Sequence, residues 1–378
     1  MKTARIIYGA TMPDSPHYNA DLRWRIRMRL HDPHFFVEFP GRPARAALIA
    51  SALEINRARN EAHDVKIESA EGLRKGIKAG ETLGALRALL RQRKISEVIL
   101  HPDTSVEIAE LLRAEFRILV GGRPWYPERM KKTSAEIESI KESIRAAEEA
   151  LYAVRERLSK ASVRRGILHE GGNPLTSEML RDSVEERFFK NGFFASGTIT
   201  SSGAHAADPH AIGKGAISVG SPIVCDFFPY SRRTGFFADI TRTFFKGKPS
   251  AARAKTYKAV LAAEERGIAL LTAGIDGSDI HKAVSRVLGE CGFKTDSVRG
   301  RGFIHSTGHG VGLECHEMPH IGGTPCVIPA GSVVTVEPGL YYPDDSYGIR
   351  IEDMVLVQKN GSAILTSFPK DFASAVID

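Results

Sequence analysis

Cysteine is scarce in this chain: there are four among 378 residues. Cys225, Cys291, Cys315 and Cys326 show no CxxC spacing and no regular framework, so buried reduced thiols are expected rather than disulfides. Cys225 and Cys315 adjoin Asp226 and His316 but are not expected to be ligands. Long apolar runs are also missing. No window approaches the 18 or more apolar residues of a membrane helix. The opening MKTARIIYGATMPDSP has no long apolar segment and no small-residue cleavage site. A cytoplasmic protein with no membrane partner is expected. Aromatic platforms are absent beside the basic residues, which bears on the net charge of +7. Residues 1–127 hold 21 Lys/Arg against 15 Asp/Glu, and Arg23, Arg25, Arg27 and Arg29 alternate there. Without a stacking surface or recognised motif, these arginines read as a solvated or interface face and not as a nucleic-acid surface.

What is present fits a soluble globular chain of two domains. In the first third, strand-like runs at 34–39, 46–51, 96–101 and 116–122 alternate with helical patterns over 53–62, 81–93 and 104–115. That alternation predicts an α/β layer. GGRPWYPE (121–128) reads as a linker. Thr133 and Glu136 have capping-box spacing and open a long amphipathic helix to about residue 160. A second helix fits 176–190. The polar stretch GTITSSGAHAADPHAIG follows, strand-like at its start and loop-like after it. The second half repeats the theme of helices followed by a hairpin. Helices fit 251–272 and 278–290, the latter with Ser278 as N-cap, and strand-rich sequence runs on to 366. The repeat is architectural, without residue-by-residue self-similarity.

The chemistry concentrates in acidic residues set in apolar strands. IVCDFFPYSRRTGFFADITRTFF (223–245) reads as a hairpin with its turn at SRRTG. Asp226 and Asp239 are equidistant from a centre between Arg232 and Arg233. In an unbulged hairpin they would face each other, with Cβ atoms about 4.5–5.5 Å apart. Two facing carboxylates in an apolar setting repel, and desolvation adds to the cost. A cation or a shared proton is needed between them. SVVTVEPGLYYPDDSYGIRIEDMVLV (332–357) repeats the device, with Glu337 and Glu352 symmetric about PDDS. Pro338 and the glycines leave room for a bulge there. Four gathered carboxylates exceed what one proton neutralises, whereas two divalent cations about 3.5–4 Å apart would suffice. The alternative is four ordinary strand acids exposed to water.

Between the hairpins, RGFIHSTGHGVGLECHEMPHIGG (301–323) carries His305, His309, His316 and His320 among glycines. Imidazole mixed with carboxylates suits Mn, Co, Fe or Zn rather than Ca. Here the sequence resembles the pita-bread metallopeptidases, which include Xaa-Pro aminopeptidases, prolidases, methionine aminopeptidases and creatinase. The resemblance spans about residues 130–370. It rests on SSGAHAADPH (201–210), DITRT (239–243), GHGVGLECHE (308–317), VEPGLYYP (336–343) and GIRIEDM (348–354). It implies an α+β chain: a C-terminal pita-bread fold over 126–378 and a smaller α/β creatinase-like N-terminal domain over 1–125. It further implies metal ligands at Asp226, Asp239, His309, Glu337 and Glu352, with Asp239 and Glu352 bridging two ions, Mn first and Co or Zn next. By the same resemblance His210, His305 and His316 are substrate-side histidines, Arg350 and Thr241 orient ligand carboxylates, and the protein is a homodimer. His205 and His320 keep a structural reading.

Two departures stand out. The aspartates are thirteen residues apart where the family usually has eleven, so Arg232 or Arg233 is a candidate to reach a partner subunit. His320 stands where prolidases often carry an arginine for the terminal carboxylate, and at neutral pH it is a weaker anchor. The expected reaction is hydrolysis of the Xaa-Pro bond of dipeptides or short peptides by metal-activated hydroxide, with Glu337 moving the proton. Tyr341, Phe227 and Phe236 are candidates for the proline pocket. The competing expectations are a metal-independent creatinase-like hydrolase and a non-catalytic binding module on the same fold.

Overall fold

In the computed structural model the described residues are 2–39, 41, 45–73, 82–195 and 197–378. The chain divides into two compact units, Met1–Pro127 and Glu128–Asp378. Among the described residues no helix is long and apolar enough to cross a membrane.

The first unit is a six-stranded sheet. Its strands are β1 (Thr3–Gly9), β2 (His34–Phe39), β3 (Arg45–Ala50), β4 (Lys66–Ser69), β5 (Glu97–Leu100) and β6 (Arg117–Val120), in the order β4-β3-β2-β1-β5-β6. Successive side chains point to opposite faces, and both faces are covered. Ile6 and Phe35 belong to one core, and the adjacent Ile7 and Phe36 to another. That is why HFFVEF reads as a continuous apolar run rather than as an alternation. Helices α1 (Ala20–Ile26), α2 (Ile55–Glu61), α3 (Thr82–Gln92) and α4 (Val106–Arg113) surround the sheet. Residue 81, in the expected span of α3, lies outside the described residues. The supposed linker is partly core: Trp125 and Tyr126 are buried beside Leu22 and Phe36. Arg5 lies 4.1 Å from the Trp125 ring centroid, and Arg25 pairs with Glu38.

In the second unit, α5 (Ser134–Lys160) opens with the expected box: the Thr133 side chain accepts from Glu136 N, and Glu136 accepts from Thr133 N. α5 and α6 (Ser177–Lys190) bury Leu151, Val154, Leu180 and Phe188 against Ile223, Cys225, Ile240 and Phe244. Those sheet residues lie on β8 (Ile223–Phe227) and β9 (Ile240–Lys246), flanked by β7 (Ile199–Ser202). α7 (Ala251–Leu270) and α8 (Gly277–Glu290) bury Tyr257, Val260, Ile280 and Val284 against Val334, Val336, Ile349 and Val355. The N-cap of α8 is Asp276, whose carboxylate accepts from Ser278 N. Ser278 was the expected cap, but the better acceptor lies two residues earlier. The remaining site-bearing strands are β10 (Gly308–Gly310), β11 (Glu317–Ile321), β12 (Val333–Val336), β13 (Gly339–Tyr342), β14 (Tyr347–Arg350) and β15 (Asp353–Val357). Each helix pair thus precedes a hairpin. All four cysteines are free, and only Cys225 is fully buried.

Candidate metal centre

The first hairpin differs in register from expectation. Asp226 faces Thr241, not Asp239, and Phe227 faces Ile240. Ser231 N donates to Phe236 O and Gly235 N to Ser231 O, so the loop is residues 232–235, centred between Arg233 and Thr234. Gly235 takes a φ of 81° there, a conformation glycine adopts without steric cost. The shift is two residues along one strand. Because side chains alternate with period two, Asp239 stays on the Asp226 face as a diagonal neighbour. In the second hairpin Val336 faces Asp353 and Gly339 faces Arg350. Glu337 and Glu352 therefore stand across from each other, and Pro338 causes no slip.

Both hairpins open onto one cavity of about 520 Å³. Its lining includes Asp226, Asp239, His309, Glu337 and Glu352, together with His210, His305, His316, His320 and Arg350. His205 is not among the described residues that line it. Of the three suggested proline-pocket residues, none lines the cavity. Phe227 and Tyr341 are fully buried, and Phe236 packs against the core. Phe228 and Ile199 supply the apolar wall instead. The strand period explains this: Phe227 points away from the Asp226 face and Phe228 towards it.

His309 is anchored by its backbone N–H on Thr335 Oγ1 (3.1 Å), and its Nδ1 lies 3.2 Å from Gly310 O. That leaves Nε2 directed at Glu337 Oε1 (3.1 Å) and Asp239 Oδ2 (3.7 Å). Arg350 donates to Asp226 Oδ2 (2.6 Å), Thr241 Oγ1 (3.2 Å) and the Tyr341 hydroxyl (2.7 Å). Thr241 in turn donates to Glu352 Oε2 at 2.8 Å. Behind the sheet, Arg242 donates to Glu352 O and to Asp353 Oδ1, both at 2.6 Å. His305 Nε2 is 3.0 Å from the Tyr341 hydroxyl and its Nδ1 2.8 Å from Ser306 O. Arg233 pairs with Glu142 of α5, and Arg232 lies over the Phe189 and Phe194 rings. Both arginines of the enlarged turn are thus engaged within the chain.

Electrostatics show the strain in this gathering. Burial, then the charges of Asp226 and Glu337, pushes the Asp239 carboxyl well above its usual range. Burial, then the charge of Asp239, does the same to Glu352. Burial would raise Glu337, but the hydrogen bond and charge of His309 bring it down to about 2. Burial would depress His309, but Glu337 and Asp239 push it up to about 9. Burial lowers both His305 and His316. Two carboxylate oxygens, Asp226 Oδ1 and Glu352 Oε1, are buried without a hydrogen-bond partner. Orphaned buried acceptors are costly, and cations would satisfy both. The donor set, one imidazole among carboxylates, fits a divalent first-row ion. Asp239, His309 and Glu352 each offer a ligand atom within 4.8 Å of the others.

The profile of metallopeptidase family M24 matches residues 138–359. The chain belongs to that family. M24 metallopeptidases use divalent metal ions, consistent with the orphaned carboxylate oxygens. Among relatives, the chain is 31% identical over 245 residues to the Xaa-Pro dipeptidase of Pyrococcus furiosus, covering 64% of this chain and 65% of that protein. It is 38% identical over 194 residues to a putative Xaa-Pro aminopeptidase of Mycoplasma genitalium, covering 50% of this chain and 51% of that one. The chain spans less than two thirds of the length of these curated relatives. Among solved structures, it is similar to the Xaa-Pro dipeptidase from Bacillus anthracis with a TM-score of 0.82 and 23% identity, over 100% of this chain and 95% of that one. The X-Pro aminopeptidase from Thermotoga maritima gives 0.78 and 24%, over 99% and 97%. The M24 chain therefore has the expected α+β architecture with a pita-bread fold.

Sequence reasoning missed two participants. Tyr341 links Arg350 to His305, and Cys315 donates its thiol to Asp239 Oδ2 at 3.2 Å. The position of Cys315 beside His316 was the only signal available for it.

Proposed function

We propose that the chain hydrolyses the bond preceding proline in dipeptides or short peptides, as an Xaa-Pro dipeptidase or aminopeptidase. Two divalent cations, Mn before Co or Zn, would be held by Asp226, Asp239, His309, Glu337 and Glu352, with Asp239 and Glu352 shared. The observation that carries this reading is the pair of buried, unpartnered carboxylate oxygens among converging ligands. The names of the Pyrococcus and Mycoplasma relatives support the substrate class.

When bound, the cations supply Lewis acidity and make hydroxide available near neutral pH. The chain's own groups supply the rest. The Glu337 carboxylate, ionised at neutral pH, accepts the proton of the attacking water and returns it to the departing nitrogen. His316, whose ring is shifted towards the neutral form by partial burial, holds the substrate carbonyl together with His210. His305 positions the neighbouring backbone. Arg350 and Thr241 fix the orientation of Asp226 and Glu352. The prolyl nitrogen has no N–H, so the site needs no acceptor for it, and Phe228 with Ile199 offers the ring an apolar wall. In this reading residues 1–125 form the creatinase-like domain and 126–378 the catalytic domain of a cytoplasmic homodimer, whose assembly sedimentation equilibrium tests.

The deciding assay adds Mn, Co or Zn to metal-stripped protein and offers Xaa-Pro dipeptides and longer Xaa-Pro peptides. Cation-dependent turnover is expected. Turnover of dipeptides alone assigns a dipeptidase, and turnover of both assigns an aminopeptidase. Failure of every substrate with all three metals overturns the proposal. Asp239→Asn should abolish turnover, and near-normal rates in that variant contradict the ligand roles.

A further inference from the structure

The cavity wall carries a thiol that peptide hydrolysis leaves unused. Cys315 is part-exposed and lines the cavity, and its Sγ–H donates to Asp239 Oδ2 at 3.2 Å. The same oxygen lies 3.7 Å from His309 Nε2. Asp239 therefore stands between two groups of potential ligands. One is Asp239, His309 and Glu352. The other is Asp239, Cys315 and His316, and in each group the ligand atoms lie within 4.8 Å of one another.

The second group is held in place by its own local structure. Cys315 and His316 directly precede β11, whose first residue, Glu317, is clamped by Arg129 Nη2 (2.5 Å) and Lys132 Nζ (2.6 Å). Gly312 closes the loop: a Cβ there would meet the Glu317 carboxylate at 2.5 Å. The His316 ring packs edge-on against His309, with centroids 4.1 Å apart. The thiol and the second imidazole thus meet Asp239 on a loop that ion pairs and close packing hold fixed.

The two groups differ in chemistry. Thiolate with imidazole and one carboxylate is a softer donor set than imidazole with carboxylates, and it favours Zn or Cd over Mn or Mg. We propose that Cys315, His316 and Asp239 form a third cation site, selective for thiophilic divalent ions, on the rim of the carboxylate centre. On binding, the Sγ–H bond breaks, the Sγ–metal bond forms and the proton passes to solvent; no oxidant or reductant takes part. Because Asp239 is common to both groups, an ion held by Cys315 draws on an oxygen that the main centre uses. Excess zinc or cadmium is then expected to oppose manganese loading. The proposal needs only the three ligands to converge, so it stands apart from the peptidase reading.

The test uses the full chain loaded with Mn and titrated with Cd. The thiolate-to-cadmium absorption is followed in the ultraviolet while bound metal is counted. One added Cd per chain and a growing band are expected. Cys315→Ser should lose the band, whereas Cys326→Ser should keep it. A second arm needs no variant: iodoacetamide labelling is mapped by peptide mass, and Cd is expected to protect Cys315 where Mg does not. A band that survives in Cys315→Ser, or Cys315 labelling at equal rates with and without Cd, overturns the proposal. Neither arm involves turnover, so failure of the peptidase reading leaves the test standing.

Discussion

Single side chains decide whether the five candidate ligand groups can form a centre. Arg350 is the clearest case, because its guanidinium reaches Asp226, Thr241 and Tyr341 in three directions at once. A lysine offers one compact charge in place of that planar fork. Arg350→Lys is therefore expected to weaken metal affinity about 10–100-fold, the usual effect of losing a group behind the ligands, as read by calorimetric Mn titration. Glu317 shows how charge holds the neighbouring loop. Burial pushes its carboxyl up, but the charges of Lys132 and Arg129 outweigh burial and hold it below the usual range. A depressed folded value means stability that is present above the unfolded value, about 4.3, and lost as pH falls through the folded one. Glu317→Gln removes the carboxylate that pairs with buried Lys132, while Arg129 keeps Glu314, and should cost about 3–5 kcal/mol near neutral pH. The gap from the parent should narrow on acidification below about pH 4. Urea unfolding at several pH values checks this; a gap that widens in acid would refute it. The four carboxylates of the candidate centre were legible in the sequence as acids placed in apolar strands. Cys315 and Tyr341 were not legible in these roles, because a thiol or phenol gains one only from the atoms that tertiary folding brings beside it.

At the scale of elements, the two hairpins behave differently for a reason the turns supply. PDDS closes β13 and β14 in the register that symmetry predicted, so Glu337 meets Glu352. SRRTG closes one residue later than predicted, and Asp226 meets Thr241. The site survives because the resulting two-residue offset preserves the face, whereas an odd offset would have turned Asp239 away. The glycine-flanked strand β10 makes a further demand. A Cβ on Gly308 would lie 2.0 Å from the Thr335 carbonyl oxygen, a backbone atom with nowhere to go. Gly308→Ala should therefore destabilise by about 1–3 kcal/mol, the range for overpacking, and should also move His309. Thermal melts combined with Mn titration test both effects; unchanged melting and unchanged affinity would show that the strand has room. Helices were the most legible elements, because α5 to α8 each open on a capping side chain and α5 and α8 also carry an amphipathic pattern. β1, β4 and α1 escaped notice: β1 is covered on both faces and lacks a clean alternation, β4 is a four-residue edge strand with no buried residue, and α1 is masked by the alternating arginines.

For the whole second unit, the centre ties elements distant in sequence: one hairpin from about residue 223, strand β10, and the other hairpin to about residue 357. Without cations, four carboxylates and a histidine share one cavity; burial and the charge of Asp226 hold Asp239 well above its ordinary range, and burial and the charge of Asp239 do the same to Glu352. An ion that binds only the folded chain, at a hundredfold excess over its Kd, stabilises it by about 2.7 kcal/mol. Chelation should therefore lower Tm and Mn should restore it, as followed by scanning calorimetry; an unaltered Tm would remove the basis for a metal centre. The sequence by itself determined the residue types, the face on which each acid lies and the division into helix-then-hairpin halves, because periodicity, caps and turn residues are local properties. Only the tertiary structure decided the register of the first hairpin, the cavity wall of Phe228 and Ile199, the burial of Trp125 and Tyr126, and the contact between Cys315 and Asp239. Those depend on which surfaces meet, and long-range packing settles that where local pattern leaves it open.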